Sequence, residues 1–135
     1  MTKKTYTSAL ENVERLAQDV EEFFAQRGVG SAAIFAINLC LDELFTNSAT
    51  YGYKGKPDGK IEVELALNGN TAEVLLRDFA PEFDPTKAVQ KADLTSGIDE
   101  RKIGGLGIYF CQKNMDEFSY SRKGCANEII LKKRV

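Results

Sequence analysis

Apolar residues recur along this chain with two different periods. Leu10, Val13, Ala17, Val20 and Phe24 step by three and four, the spacing of one helical face. The spacing predicts a helix from Ala9, with Ser8 as its N-cap and Glu11 three residues later completing a capping box. Gly28-Val29-Gly30 stops it. A second helix opens at Ser31, with Ile34, Ile37, Leu41 and Leu44 on one stripe. Ala33, Ala36 and Cys40 widen the stripe, so this helix is expected to be buried around much of its circumference. It ends before Tyr51-Gly52-Tyr53 and the turn-rich residues 54–59.

The period then shortens to two. Ile61, Val63, Leu65 and Leu67 alternate with polar residues, Asn68-Gly69-Asn70 makes a tight turn, and Ala72, Val74 and Leu76 alternate again. This is the pattern of a hairpin. From Asp78 to Gly107 neither period holds, and Pro81, Pro85, charges and glycines are scattered through the stretch. An irregular segment this long in a compact domain is usually functional or mobile. Gly104-Gly105-Leu106-Gly107 leads into a short helix marked by Ile108, Phe110, Cys111 and Met115. Residues 118–122 and 128–132 read as two closing strands around Lys123-Gly124, and residues 3–8 as a short edge strand. Together these elements predict one α+β domain over residues 1–135, a sandwich with helices on one face of a sheet.

Composition narrows the classes. A chain of 135 residues, 43% hydrophobic and 28% charged, has the balance of a soluble domain with a single core. The net charge of −2 implies no basic face, so no direct nucleic-acid contact is expected. No apolar region follows Met1-Thr2-Lys3-Lys4 and no run reaches bilayer length, so neither a signal peptide nor a membrane contact is expected, and a cytoplasmic location is. Cys40, Cys111 and Cys125 form no Cys-x-x-Cys pair, and the first two read as reduced core residues. The chain has no histidine, which excludes histidine-based triads, histidine-ligated zinc and a phospho-accepting histidine within it.

Candidate chemistry lies where polar groups interrupt oily elements. Glu43 and Asn47 stand four apart on the second helix and are expected to point together. Asp78 leaves a strand, and a glycine-rich run opens a helix whose first N–H groups can cradle phosphate. Each feature alone is common: a solvated helix face, a turn-forming aspartate, a flexible connection.

As an ordered set they resemble the small serine-kinase anti-sigma factors of the GHKL (Bergerat-fold) ATPase superfamily. The resemblance runs through Asn47-Ser48-Ala49-Thr50-Tyr51-Gly52-Tyr53, Asp78-Phe79-Ala80-Pro81-Glu82-Phe83-Asp84-Pro85, Gly104-Gly105-Leu106-Gly107-Ile108-Tyr109-Phe110 and Met115-Asp116-Glu117. It implies a two-layer fold with a mixed, mainly antiparallel sheet. It implies ATP and Mg²⁺ as cofactors, with Asn47 ligating the metal through its carbonyl oxygen and Glu43 serving as general base toward a serine hydroxyl. Asp78 would accept from the adenine amino group, with Ala80 where relatives usually have glycine beside the base. Gly104, Gly105, Leu106 and Gly107 would wrap the phosphates, Arg101 and Lys102 would touch them, and residues 86–103 would form a lid. The implied partner is an anti-anti-sigma antagonist as phosphorylation substrate, with a sigma factor and a homodimer as further expectations. A nucleotide-binding switch without phosphotransfer is the alternative. The detached ATPase half of a histidine kinase fits less well, since such domains usually carry Asn where Glu43 stands.

Overall fold

Alternation becomes pairing across the whole sheet. In a computed structural model, which describes residues 1–87 and 105–135, the elements run β1 (Thr2–Thr7), α1 (Asn12–Ala25), α2 (Ser31–Asn47), β2 (Lys60–Asn68), β3 (Thr71–Asp78), α3 (Gly105–Asn114), β4 (Glu117–Lys123) and β5 (Ala126–Arg134). The strands form one sheet in the order β1-β2-β3-β5-β4, and every pairing among the described strands is antiparallel. The β2–β3 hairpin closes on Gly69 at φ +60°, and the β4–β5 hairpin on Gly124 at φ +61°, backbone that glycine adopts without steric cost. The edge strand expected near residues 3–8 is β1, paired along its length with β2.

One core joins the two layers. Leu16, Val20 and Phe24 of α1 and Ile37, Leu41, Leu44 and Phe45 of α2 meet Ile61, Val63, Leu65, Val74, Leu76 and Leu131 of the sheet, with Ile108 of α3 in the same cluster. Alternate strand residues face away from it. There Glu62, Arg77 and Glu128 stand in register across β2, β3 and β5. Arg77 donates from Nη1 to Glu62 Oε1 (2.9 Å) and from Nε to Glu128 Oε2 (2.8 Å), with Glu64 at 3.3 Å.

Two helix ends differ from expectation. Helix α1 begins at Asn12 and its start carries no side-chain cap, so the Ser8–Glu11 capping box does not form. Ser8 is drawn instead to the 56–59 loop, donating to the Lys56 carbonyl (2.5 Å) and accepting from the Gly59 N–H (2.9 Å). Leu10, counted on the apolar stripe, lies in the preceding turn and is exposed. Helix α2 continues past Asn47 into a π-helical turn over Ser48–Gly52, a widening that often marks a functional site.

Candidate active site

The end of α2, the end of β3 and the start of β5 converge on Asp78. It is the last residue of β3, 6% exposed, and its register partner on β5 is Asn127. Ser48 donates to Asp78 Oδ2 (2.6 Å), while Oδ1 accepts from Asn127 Nδ2 (2.8 Å) and from the Ala80 N–H (3.1 Å). Donors on both oxygens compensate the burial of this carboxylate.

Asn47 lies beside it, also buried, and its Nδ2 finds no hydrogen-bond partner among the described residues. Such a group costs stability unless a ligand or water satisfies it. Asn47, Ser48, Asp78, Phe83 and Asn127 line a cavity of about 10 Å³, room for one water at most. An adenine ring enters only if the segment carrying Phe83 and Pro85, which also line the cavity, moves outward. Phe83 is held by stacking on Tyr51, with centroids 6.3 Å apart and planes inclined by 26°. Ala80 is buried, and its methyl group would lie 3.0 Å from a β-carbon placed on Gly52, so the absent side chain at Gly52 accommodates the extra carbon at Ala80.

Glu43 opens elsewhere. It lines a groove of about 680 Å³ between α2 and α3, together with Asp42, Thr46, Gly107, Cys40 and Cys111. The groove rim carries Phe35, Leu39 and Phe110, all exposed despite their size. The pair expected to point together therefore lines different cavities among those described, Asn47 toward the sheet and Glu43 toward α3. Burial, and then the charge of Asp42, raises the Glu43 carboxyl above the usual glutamate range. Gly107 packs directly over it: a β-carbon there would collide with the Glu43 carboxylate. One turn before Glu43 on α2 and one turn after Gly107 on α3, Cys40 and Cys111 are buried free thiols, as expected. Hydrogen bonding to Cys40 and burial push the Cys111 thiol far up.

The glycine run differs from the expected loop. Gly105 already belongs to α3, so Gly105, Leu106 and Gly107 form its first turn, whose N–H groups lack intrahelical acceptors. Arg101, Lys102 and Gly104 lie outside the described residues, as does the expected lid apart from Thr86 and Lys87. Two site residues escaped the sequence reading. Ser48 directly follows Asn47 and was legible as part of that motif. Asn127 carried no signal, because only the β3–β5 register sets it opposite Asp78.

Among the described residues no helix is long and apolar enough to cross a membrane. The chain is 29% identical over 137 residues to a serine/threonine-protein kinase, BtrW, of Bordetella bronchiseptica, covering 97% of this chain and 94% of that one. It is 25% identical over 130 residues to an anti-sigma F factor of Clostridium beijerinckii, covering 96% and 90%. A chain in the crystal structure of the SiaB-SiaC complex from Pseudomonas aeruginosa superposes with a TM-score of 0.70 at 16% identity, covering 100% of this chain and 89% of that one. Residues 6–133 match the family described as histidine kinase-like ATPase domain, and the chain belongs to that family.

Proposed function

We propose that this chain is an ATP-dependent protein serine kinase of the anti-sigma-factor type. Its substrate is an anti-anti-sigma antagonist protein, and phosphorylation decides which partner the chain holds, a sigma factor among them. The observation that carries the reading is Glu43: a carboxylate of raised proton affinity under α3, one helical turn before Asn47, open to a groove large enough for a polypeptide. A binding-only nucleotide domain has no need of a base so placed.

The residues present fit the nucleotide and metal the family implies. The unpartnered amide of buried Asn47 fits a site completed by a ligand, and its carbonyl oxygen is the hard donor that Mg²⁺ takes beside phosphates. The free N–H groups at the start of α3 suit the phosphates, with Arg101, Lys102 and Gly104 as further contacts. Asp78 reads the adenine amino group as an acceptor. Mg²⁺ supplies charge neutralisation when bound. Glu43 removes the proton of the attacking serine hydroxyl, and residues 86–103 close over the nucleotide. A cytoplasmic location and a homodimer accompany this reading.

Incubation with labelled ATP and an anti-anti-sigma antagonist protein from the same organism tests it. Label on an antagonist serine is the expected result. Binding of ATP and antagonist without transfer sinks the kinase reading and leaves a nucleotide-gated interaction switch.

A further inference from the structure

Cys40 and Cys111 both line the groove between α2 and α3, each 2% exposed, and neither has a part in the chemistry assigned to Glu43. The neighbouring layer of this helix pair is already closed, because the Glu43 carboxylate fills the space beside Gly107. From that contact Cys40 lies three residues back on α2 and Cys111 four residues on along α3, about one turn in each helix. The thiols therefore form the next layer of an antiparallel pair, and there Cys111 and Cys40 are hydrogen-bonded to each other. That bond is the chief cause that lowers the Cys40 thiol below the ordinary cysteine range, against burial, and the charge of Lys133 adds to it. Lys133 is fixed at the end of α3, where its Nζ donates to the Asn114 carbonyl at 2.8 Å. Cys40 thus has the character of an attacking thiolate and Cys111, held protonated, that of a resolving thiol. Cys125 sits exposed in the β4–β5 turn, outside this pair.

We propose that Cys40 and Cys111 are an oxidative modification site, closed to an intramolecular disulfide by hydrogen peroxide or an organic hydroperoxide. The groove of about 680 Å³ admits so small an oxidant. The Cys40 thiolate attacks one peroxide oxygen, and the O–O bond breaks. The other oxygen leaves with the electron pair and takes up the proton that Cys40 had released, and Cys40 becomes a sulfenic acid. The Cys111 sulfur then attacks that sulfur, the S–O bond breaks, and the departing hydroxide takes the Cys111 proton as water. Each sulfur has given up one electron and the peroxide has received two.

An S–S bond of about 2.05 Å is shorter than any contact between two thiols, so closure draws α3 toward α2. The layer above has no slack, since Gly107 already rests on Glu43. Oxidation therefore presses α3 onto the Glu43 carboxylate and turns it away from an incoming serine. The cross-link stands on the placement of the thiols; its effect on transfer rests on the kinase reading above.

Peroxide treatment of the full chain carrying Cys125→Ser, followed by alkylation and peptide mapping, tests this. Cys40 and Cys111 should be found joined, with a mass loss of about 2 Da that dithiothreitol reverses. The cross-linked chain should phosphorylate the antagonist at least about tenfold more slowly, and dithiothreitol should restore the rate. In the same background Cys111→Ala should form no cross-link and stop at a sulfenic acid on Cys40, trapped by dimedone. Should that variant not fold, Cys40→Ser should yield neither cross-link nor adduct. Thiols that stay reduced, sulfinic acids on separate cysteines, or a cross-link only between chains overturn the site. A cross-link that leaves the transfer rate unchanged overturns the effect on Glu43. A reduced chain that transfers no phosphate overturns the kinase reading, while the mapped disulfide still decides the site.

Discussion

Glu43 and Gly107 share one volume: the Glu43 carboxylate occupies the space that a side chain at Gly107 would fill. The glycine expected for close approach of phosphate is required in this structure by a protein carboxylate. Helix α3 thereby rests on the Glu43 carboxylate.

Gly107→Ala exploits this contact. The colliding atoms are the far end of a flexible side chain, and the neighbouring groove has room to receive them. Alanine also suits a helix better than glycine, by about 1 kcal/mol. The variant should therefore melt within a few degrees of wild type, while serine phosphorylation falls at least about tenfold because the base is displaced. Phosphotransfer assays beside a thermal melt check this, and full activity would show that the Glu43 position is not needed.

Glu43→Gln separates charge from shape. The raised carboxyl pKa means that folding favours the protonated acid. Its stabilising contribution is complete at pH below the usual glutamate value and is lost as pH rises through the raised value. Glutamine has no such loss, so the variant should melt above wild type at pH 8 and level with it near pH 4. Transfer should drop by about 10²–10⁴-fold with ATP affinity retained. Wild-type transfer should fall on acidification at a pH above the ordinary glutamate range.

Much of the fold was legible because burial on one sheet face writes itself as period two. The Ile61-to-Leu67 and Ala72-to-Leu76 alternations became β2 and β3 with the expected turn. Local chemistry without a period was less legible. Ser8 satisfied the capping rule but found better partners in the 56–59 loop, 48 residues away. The spacing of Glu43 and Asn47 implied one shared face, yet α2 is buried on so many sides that the offset of about 40° between residues four apart carries them into different cavities. Asn127 was invisible because strand register, a long-range property, makes it a site residue.

Asn47→Ala should weaken magnesium ATP and magnesium tripolyphosphate together, about tenfold or more, if its carbonyl oxygen holds the metal as proposed. Stability should change by no more than about 1 kcal/mol, because an amide nitrogen with no partner is removed along with its packing. Titrations with both ligands decide it, and loss of ATP binding with tripolyphosphate untouched would move Asn47 to the base end of the site.

Arg77→Met tests whether the sheet face opposite the core is held electrostatically. Arg77 is the chief reason that Glu62 is held at about 2, with burial opposing and Lys60 and Lys3 assisting. A depressed carboxyl pKa stabilises the fold above the ordinary glutamate value, and that contribution fades as pH falls through the lowered one. Without the guanidinium, Glu62, Glu64 and Glu128 face one another, and among the described residues Lys3 and Lys60, at 3.4 and 3.2 Å from Glu62, offset them. Removing one partner of such a largely buried cluster costs about 3 kcal/mol at pH 7. The gap to wild type should narrow steadily toward pH 2, where protonation relieves the repulsion in the variant and removes the ion pairs in the parent. Melting curves across that range measure it. A gap that stays constant with pH would assign the loss to packing of the arginine stem instead of its charge.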